Sequence, residues 1–156
     1  MKLRRYRDGD LEEMRALFRE SILRGCGGFY TPAQLHAWAD RAGSLEPERF
    51  RRAVTLVAEK EGRLLGYGSL EPGGHLDHLY TAAEAQGQGV GTAFCGALEA
   101  EARRQGVRKI HVEASRKARR FFERRGYELD GAQQVEVDGE QLENFRMTLK
   151  ISGDSV

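Results

Sequence analysis

The chain has 156 residues, of which 40% are hydrophobic and 31% charged, with 25 basic against 24 acidic side chains and a formal net charge of +1. These values describe one compact domain large enough for an ordinary core, and they exclude global disorder. So balanced a charge argues against a generic nucleic-acid or membrane binder, which needs a strong basic excess.

Residues 2–6 read as a first strand. Asp8 follows as a candidate N-cap, and Leu11, Met14, Leu17, Phe18 and Ile22 recur at helical spacing, so a helix is expected over about 9–24. Gly25, Gly27 and Gly28 end it. Thr31-Pro32 offers a cap followed by proline at the first helical position, where the missing N–H costs nothing. Leu35, Trp38 and Ala39 stripe that second helix, which ends near 40–43. A short helical turn fits 47–52. Residues 53–59 and 63–70 form a hairpin across Glu61-Gly62. A strand of alternating character follows at 75–81. A long helix is expected from Val90 to Gln105 with Gly106 as its stop, then a strand over 107–113 and a helix over 116–125 stopped by Gly126. The last strands, 127–137 and 141–151, join at Asp138-Gly139, a strong hairpin signal. The order βααβββαβαββ is that of a single α/β domain over residues 1–151, and residues 152–156 read as a frayed tail.

Basic side chains cluster at Arg103–Arg104, Arg116–Arg120 and Arg124–Arg125. In a neutral protein such clusters suit one anionic ligand, although for any single Arg a solvated helix face is the plain reading. Cys26 and Cys95 are far apart and out of any metal-like spacing, and His36, His75, His78 and His111 have none either, so no metal is expected. Two free thiols and no secretory signal point to the cytoplasm. No segment approaches the roughly 18 apolar residues of a membrane span. Cys95 reads as a buried apolar side chain; Cys26, in a glycine-rich loop, is the candidate for an exposed thiol.

The informative stretch is Gln86-Gly87-Gln88-Gly89-Val90-Gly91, between a strand and the long helix. Gly89 and Gly91 let the backbone approach a ligand closely, and amides at a helix N-terminus form an anion site. A phosphate-bearing ligand is the natural occupant. A Walker loop would need Gly-Lys-Ser/Thr, which is absent, and a dinucleotide fingerprint would need G-x-G-x-x-G early in a βαβ unit. The plain alternative is a glycine-rich turn that merely starts a helix.

The hexad fits every specified position of Q/R-x-x-G-x-G/A, and in this respect the chain resembles the GCN5-related N-acetyltransferases. The likeness extends to Leu79-Tyr80-Thr81 before the loop, to the segment from Ala118 to Tyr127, which is similar to the family's A-x-x-F-[YF]-x-x-x-G-[FY], and to the element order over almost the whole chain. The resemblance implies a mixed sheet of about seven strands splayed in a V and flanked by about four helices, with acetyl-coenzyme A as co-substrate. It implies a coenzyme site at Leu79, Tyr80, Thr81, Gln86, Gly87, Gln88, Gly89, Val90, Gly91 and Thr92, with Ser115, Phe121 and Phe122 nearby. The loop donors would be the amides of residues 88–92, and the backbone N–H of Leu79 would polarise the thioester carbonyl.

In this family the amine attacks the thioester directly, so a base or water chain must take its proton. His75 and Asp77, two apart on one strand face, are the candidates; the plain reading is that each only bonds a neighbouring strand or water. Phe122 stands where many relatives carry a Tyr that protonates the leaving thiolate, and it has no proton to give. Ser115 reads better as a helix cap than as a ligand group. The resemblance puts the acceptor beside Phe29, Tyr30 and Trp38, with Trp38 also readable as core. The acceptor is expected to be an amine of a small molecule or peptide, with no nucleic acid or membrane partner, and a homodimer through the last strands stays open. A second class of function also remains open: a non-catalytic acyl-coenzyme A-binding or sensing module.

Overall fold

A computed structural model describes residues 1–151, so the tail expected at 152–156 lies outside the described residues. The strands are β1 (Lys2–Arg5), β2 (Val54–Lys60), β3 (Arg63–Glu71), β4 (His75–Thr81), β5 (Lys109–Ser115), β6 (Glu128–Val137) and β7 (Glu140–Lys150). They form one sheet in the order β1-β2-β3-β4-β5-β7-β6. Every neighbouring pair is antiparallel except β4 and β5, which are parallel. The helices are α1 (Leu11–Gly25), α2 (Pro32–Ala39), α3 (Pro47–Arg52), α4 (Val90–Arg104) and α5 (Arg119–Arg124). The turn expected at 47–52 is a helix of six residues, which makes five helices where four were anticipated. None of the described helices is long and apolar enough to cross a membrane.

Local chemistry explains most boundaries. Thr31 Oγ1 accepts the Gln34 N–H at 3.2 Å and Gln34 Oε1 accepts the Thr31 N–H at 2.8 Å, a reciprocal capping box that starts α2. Two of the three hairpin turns have two central residues, both at positive φ, Glu61-Gly62 at 53° and 77° and Asp138-Gly139 at 46° and 86°, the geometry that matches strand twist. Asp8 does not cap α1. It opens a short 3-10 turn, Asp8–Asp10, and pairs with Arg51 at 2.6 Å. Asp10 accepts the Arg7 N–H instead, at 2.8 Å, and is held by Arg4. Arg4 reaches Asp10 from the strand, and this pairing favours Asp10 over Asp8 at the turn.

The core lies on both faces of the sheet. Met14, Phe18 and Ile22 of α1 and Phe50 of α3 pack over Tyr67 on one face, while Leu98 of α4, Ile110, Val112 and Met147 fill the other. Burying each such side chain contributes about 1.5–3 kcal/mol. Glu99 of α4 is buried yet receives both Arg125 N–H groups, at 2.9 and 2.6 Å, and the Tyr127 hydroxyl at 3.1 Å. This fully engaged carboxylate ties α4 to the end of α5 and the start of β6.

The close seat of α4 on β3 depends on Gly66 and Gly68. A Cβ on Gly66 would lie 2.7 Å from the Tyr80 carbonyl oxygen and within 3.2 Å of Val90 and Phe94. Since backbone cannot yield as a flexible side chain does, Gly66→Ala is expected to cost about 1–3 kcal/mol. An unchanged denaturant midpoint in Gly66→Ala would refute this account.

Two irregularities shape the centre of the sheet. A β-bulge sets Ser69 opposite His78 but Leu70 opposite Leu76, leaving Asp77 as the extra residue on β4. Leu76 therefore joins the α4 side of the core, while His78 packs against Phe18 and Phe50 on the opposite side. The second irregularity is that β4 and β5 pair at one position alone, His75 with His111. Beyond that apex the strands no longer bond to each other, and a cleft opens between them.

Candidate active site

The cleft has a volume of about 710 Å³. Its walls are β4, through Asp77, Leu79, Tyr80 and Thr81, and β5, through Val112, Glu113, Ala114 and Ser115. One end meets the loop at 86–91 and the start of α4; the other reaches α1 and α2.

At the loop end, Gly89 is the N-cap of α4 at φ 83°. A Cβ on Gly87 or Gly89 would meet nothing within 4 Å, and one on Gly91 would touch only the Phe121 ring, at 3.4 Å. The loop backbone is thus uncovered. The amides of Val90, Gly91 and Thr92 belong to a first helical turn, which supplies no acceptor for them, and the helix dipole favours an anion there. The Gln88 amide differs, because it donates to the Ala85 carbonyl at 3.3 Å. Lys117 donates to Gln86 across the mouth, and Arg124 also lines this end. The residues present therefore fit a pyrophosphate.

Ser115 Oγ accepts the Ala118 N–H at 3.1 Å; it works as a cap just before α5 and also lines the cleft. Phe121 is half-buried and Phe122 is buried, and both rings face the cleft. Tyr127 is in the core.

Charged groups converge at the apex. Asp77, its side chain only 9% exposed, accepts from Arg49 of α3 at 2.8 and 2.9 Å in a bidentate pair. His78 Nε2 lies 3.5 Å from the same carboxylate, and His78 Nδ1 lies 3.1 Å from the Tyr67 hydroxyl. Burial lowers the His78 pKa to about 4, so the ring is neutral. Since a carboxylate can only accept, the tautomer that suits these neighbours has its proton on Nε2, with Nδ1 accepting from Tyr67. The bulge makes this possible by turning Asp77 and His78 toward the same group of partners.

His75 has a different environment. Its Nδ1 is 2.6 Å from Glu71 of β3, its Nε2 is 2.8 Å from Glu113 of β5, and its ring stacks on His111 at 4.8 Å. Asp77 is 4.0 Å away. Glu113 above all, then Glu71, raise the His75 pKa to about 9 against some desolvation. At neutral pH the ring is an imidazolium and cannot accept a proton. The ligand atoms of Glu71, His75 and Asp77 fall within 4.8 Å of one another, a grouping that sequence spacing did not reveal. At neutral pH His75 is itself a cation between the two carboxylates.

Because the folded pKa of His75 lies above its ordinary value near 6.5, its stabilisation is complete below that value and disappears as pH rises through about 9. The melting temperature of the wild type is expected to fall through that window more steeply than that of His75→Gln. Parallel curves would remove the charged clamp.

Of the three acceptor-side residues expected from sequence, the cleft includes Trp38 alone. Tyr30 is buried and structural: its hydroxyl donates to the Glu143 carbonyl at 2.6 Å and accepts the Arg116 N–H at 2.9 Å. Phe29 is 42% exposed, outside the cleft, and its carbonyl accepts from Arg116. Cys26, the candidate exposed thiol, is 7% exposed and lines the cleft with Ser21 and Ile22 of α1. Arg49, Glu71, Glu113 and His78 were missed. They come from α3, β3, β5 and the bulge, and no local motif marks them.

A sheet that splits between two parallel strands, beside a helix with bare N-terminal glycines, defines an acyltransferase fold of the acetyltransferase kind. The family model for the acetyltransferase (GNAT) domain matches residues 30–149. A GCN5-related N-acetyltransferase from Rhodopseudomonas palustris is 33% identical in sequence, with a TM-score of 0.89 over 96% of this chain and 95% of that one. The N-acetyltransferase YafP of Escherichia coli (strain K12), itself uncharacterised, is 28% identical over 151 residues, 96% of each chain. The PaiA N-acetyltransferase of Thermoplasma acidophilum, solved in complex with coenzyme A, shares the fold with a TM-score of 0.78 at 19% identity, over 96% of this chain and 98% of that one. The chain belongs to the GNAT acetyltransferase family and is an N-acetyltransferase.

Proposed function

We propose that this N-acetyltransferase takes its acetyl group from acetyl-coenzyme A and passes it directly to an amine of a small molecule or peptide. The observation that carries the reading is the continuity of the cleft, which runs from the bare amides of the loop to the carboxylates at the apex. In this reading Gly89, Val90, Gly91 and Thr92 hold the pyrophosphate through their amides, with Gly87 leaving room and Gln86, Gln88 and Lys117 at the rim. Leu79, Tyr80 and Thr81 on one wall, and Ser115, Phe121 and Phe122 on the other, flank the pantetheine arm. The Leu79 N–H polarises the thioester carbonyl.

Asp77 attracts the acceptor's ammonium and takes its proton through water, leaving a neutral nitrogen to attack the carbonyl carbon. The C–S bond then breaks. Phe122 offers no proton, so the thiolate takes one from water or the proton that the attacking nitrogen sheds as the tetrahedral intermediate becomes the amide. His75 holds Glu113 in place and joins β4 to β5, and serves as a base only above about pH 9. Two buried thiols suit a cytoplasmic setting.

Thermal-shift titration with acetyl-coenzyme A, coenzyme A and NADH tests the donor, followed by thiol release against a panel of amines. Stabilisation by the coenzyme A species alone, with release for some amine, is the expected result. Lack of stabilisation at saturating acetyl-coenzyme A would sink the reading. The missing hydroxyl at Phe122 favours one second reading, an acyl-coenzyme A sensor. Tight binding without release for any amine would support it.

A further inference from the structure

We propose that the acceptor is a primary amine on a flat aromatic body, seated against Trp38 and Tyr80 with its nitrogen at Asp77. The proposal rests on the donor assignment above, which fills the loop end of the cleft and leaves the α1–α2 end for the second substrate.

That end is apolar in an informative way. Trp38 and Tyr80 are half-buried, with ring centroids 6.4 Å apart and planes inclined by 60°. Phe18 backs Tyr80 at 4.8 Å between ring centroids and Tyr30 backs Trp38 at 5.8 Å, and both rings line the cleft with what remains exposed. Ile22 and Cys26 continue the wall, and burial raises the Cys26 thiol pKa, keeping it neutral. The Ser21 hydroxyl gives its one proton to the Phe18 carbonyl at 2.9 Å, and the residue is buried.

Negative charge in the described cleft is confined to the apex. Asp77 and Glu113 are the carboxylates lining the described cleft, and both lie near β4–β5 pairing. A polyamine would need a further carboxylate at the far end of its chain. A free amino acid would need a cation for its carboxylate at this end, yet Lys117 and Arg124 stand at the loop end and Arg49 is paired with Asp77. An amino sugar would need several hydroxyl partners. A single amine on an aromatic ring needs a carboxylate at one end and ring faces at the other, and edge-on or offset aromatic packing rewards that match.

Trp38 is the single tryptophan of the chain, so its fluorescence reports this wall directly. With coenzyme A bound to prevent turnover, phenethylamine is expected to change Trp38 emission saturably, while spermidine and glucosamine leave it unaltered. With acetyl-coenzyme A, kcat/KM for phenethylamine is expected to exceed that of either competitor by at least about tenfold. Trp38→Leu should raise the phenethylamine KM about tenfold and leave the acetyl-coenzyme A KM unchanged. That unchanged KM also reports an intact fold. Preference for spermidine or glucosamine, or bound acetyl-coenzyme A with no phenethylamine response by either readout, overturns the proposal while the donor assignment stands. Failure to bind acetyl-coenzyme A overturns both.

Discussion

Gly89→Asp is expected to abolish measurable acetyl-coenzyme A binding, weakening it by about a hundredfold or more, while the protein stays folded. Two facts separate ligand from fold. A Cβ at Gly89 meets nothing within 4 Å, so the new side chain enters open space at the cleft. Its φ of 83° is left-handed, a region that Asp tolerates better than most residues. The carboxylate would then face the phosphates, and like charges in contact cost several kcal/mol. Gly139→Asp is the matched control, since it has a similar φ of 86° in the last hairpin, far from the loop in sequence. Isothermal titration of both variants decides the matter. Normal affinity in folded Gly89→Asp removes the pyrophosphate assignment.

Asp77→Asn is expected to lower kcat by about a hundredfold, the lower end of what general-base catalysis contributes. The acetyl-coenzyme A affinity should hold, because Asp77 lies at the apex and the phosphates at the loop. Asn keeps the shape and one acceptor for Arg49, so the change removes charge and basicity more than geometry. The split between kcat and KM is the diagnostic reading. An unaltered kcat would transfer the proton to Glu113 or to bulk water.

The fold was legible wherever its cause was local. Thr31-Pro32, Glu61-Gly62, Asp138-Gly139 and Gly106 are punctuation that acts over a few residues, and each stands where expected. Gln86–Gly91 was readable for the same reason, since glycines and a following helix are adjacent in sequence. The apex was not. Period-two alternation set His75 beside Asp77, and they are neighbours, but alternation carries no information about a bulge, which arises from the register of β3 against β4. Hence His78 was not suspected. Arg49 meets Asp77 across 28 positions and Glu113 meets His75 across 38, and no sequence period spans such distances. His75 had the right location for a base. Its environment, two carboxylates from two other strands, makes it a cation, and only the assembled sheet supplies that environment. Asp8 failed as a cap because Arg51 and Arg4 sort the two nearby carboxylates differently.

The single rung between β4 and β5 has a topological cost. A continuous sheet of seven strands has two free edges, here β1 and β6. Parting the sheet past His75 and His111 gives it almost four, and unpaired strand edges are the usual template for unwanted association. These inner edges face each other across the cleft, between the start of α4 at one end and α1 and α2 at the other. A thin molecule with amides along its length is suited to satisfy both. In the proposed reading the vulnerability is directed inward and becomes selectivity for a ligand shaped like a strand.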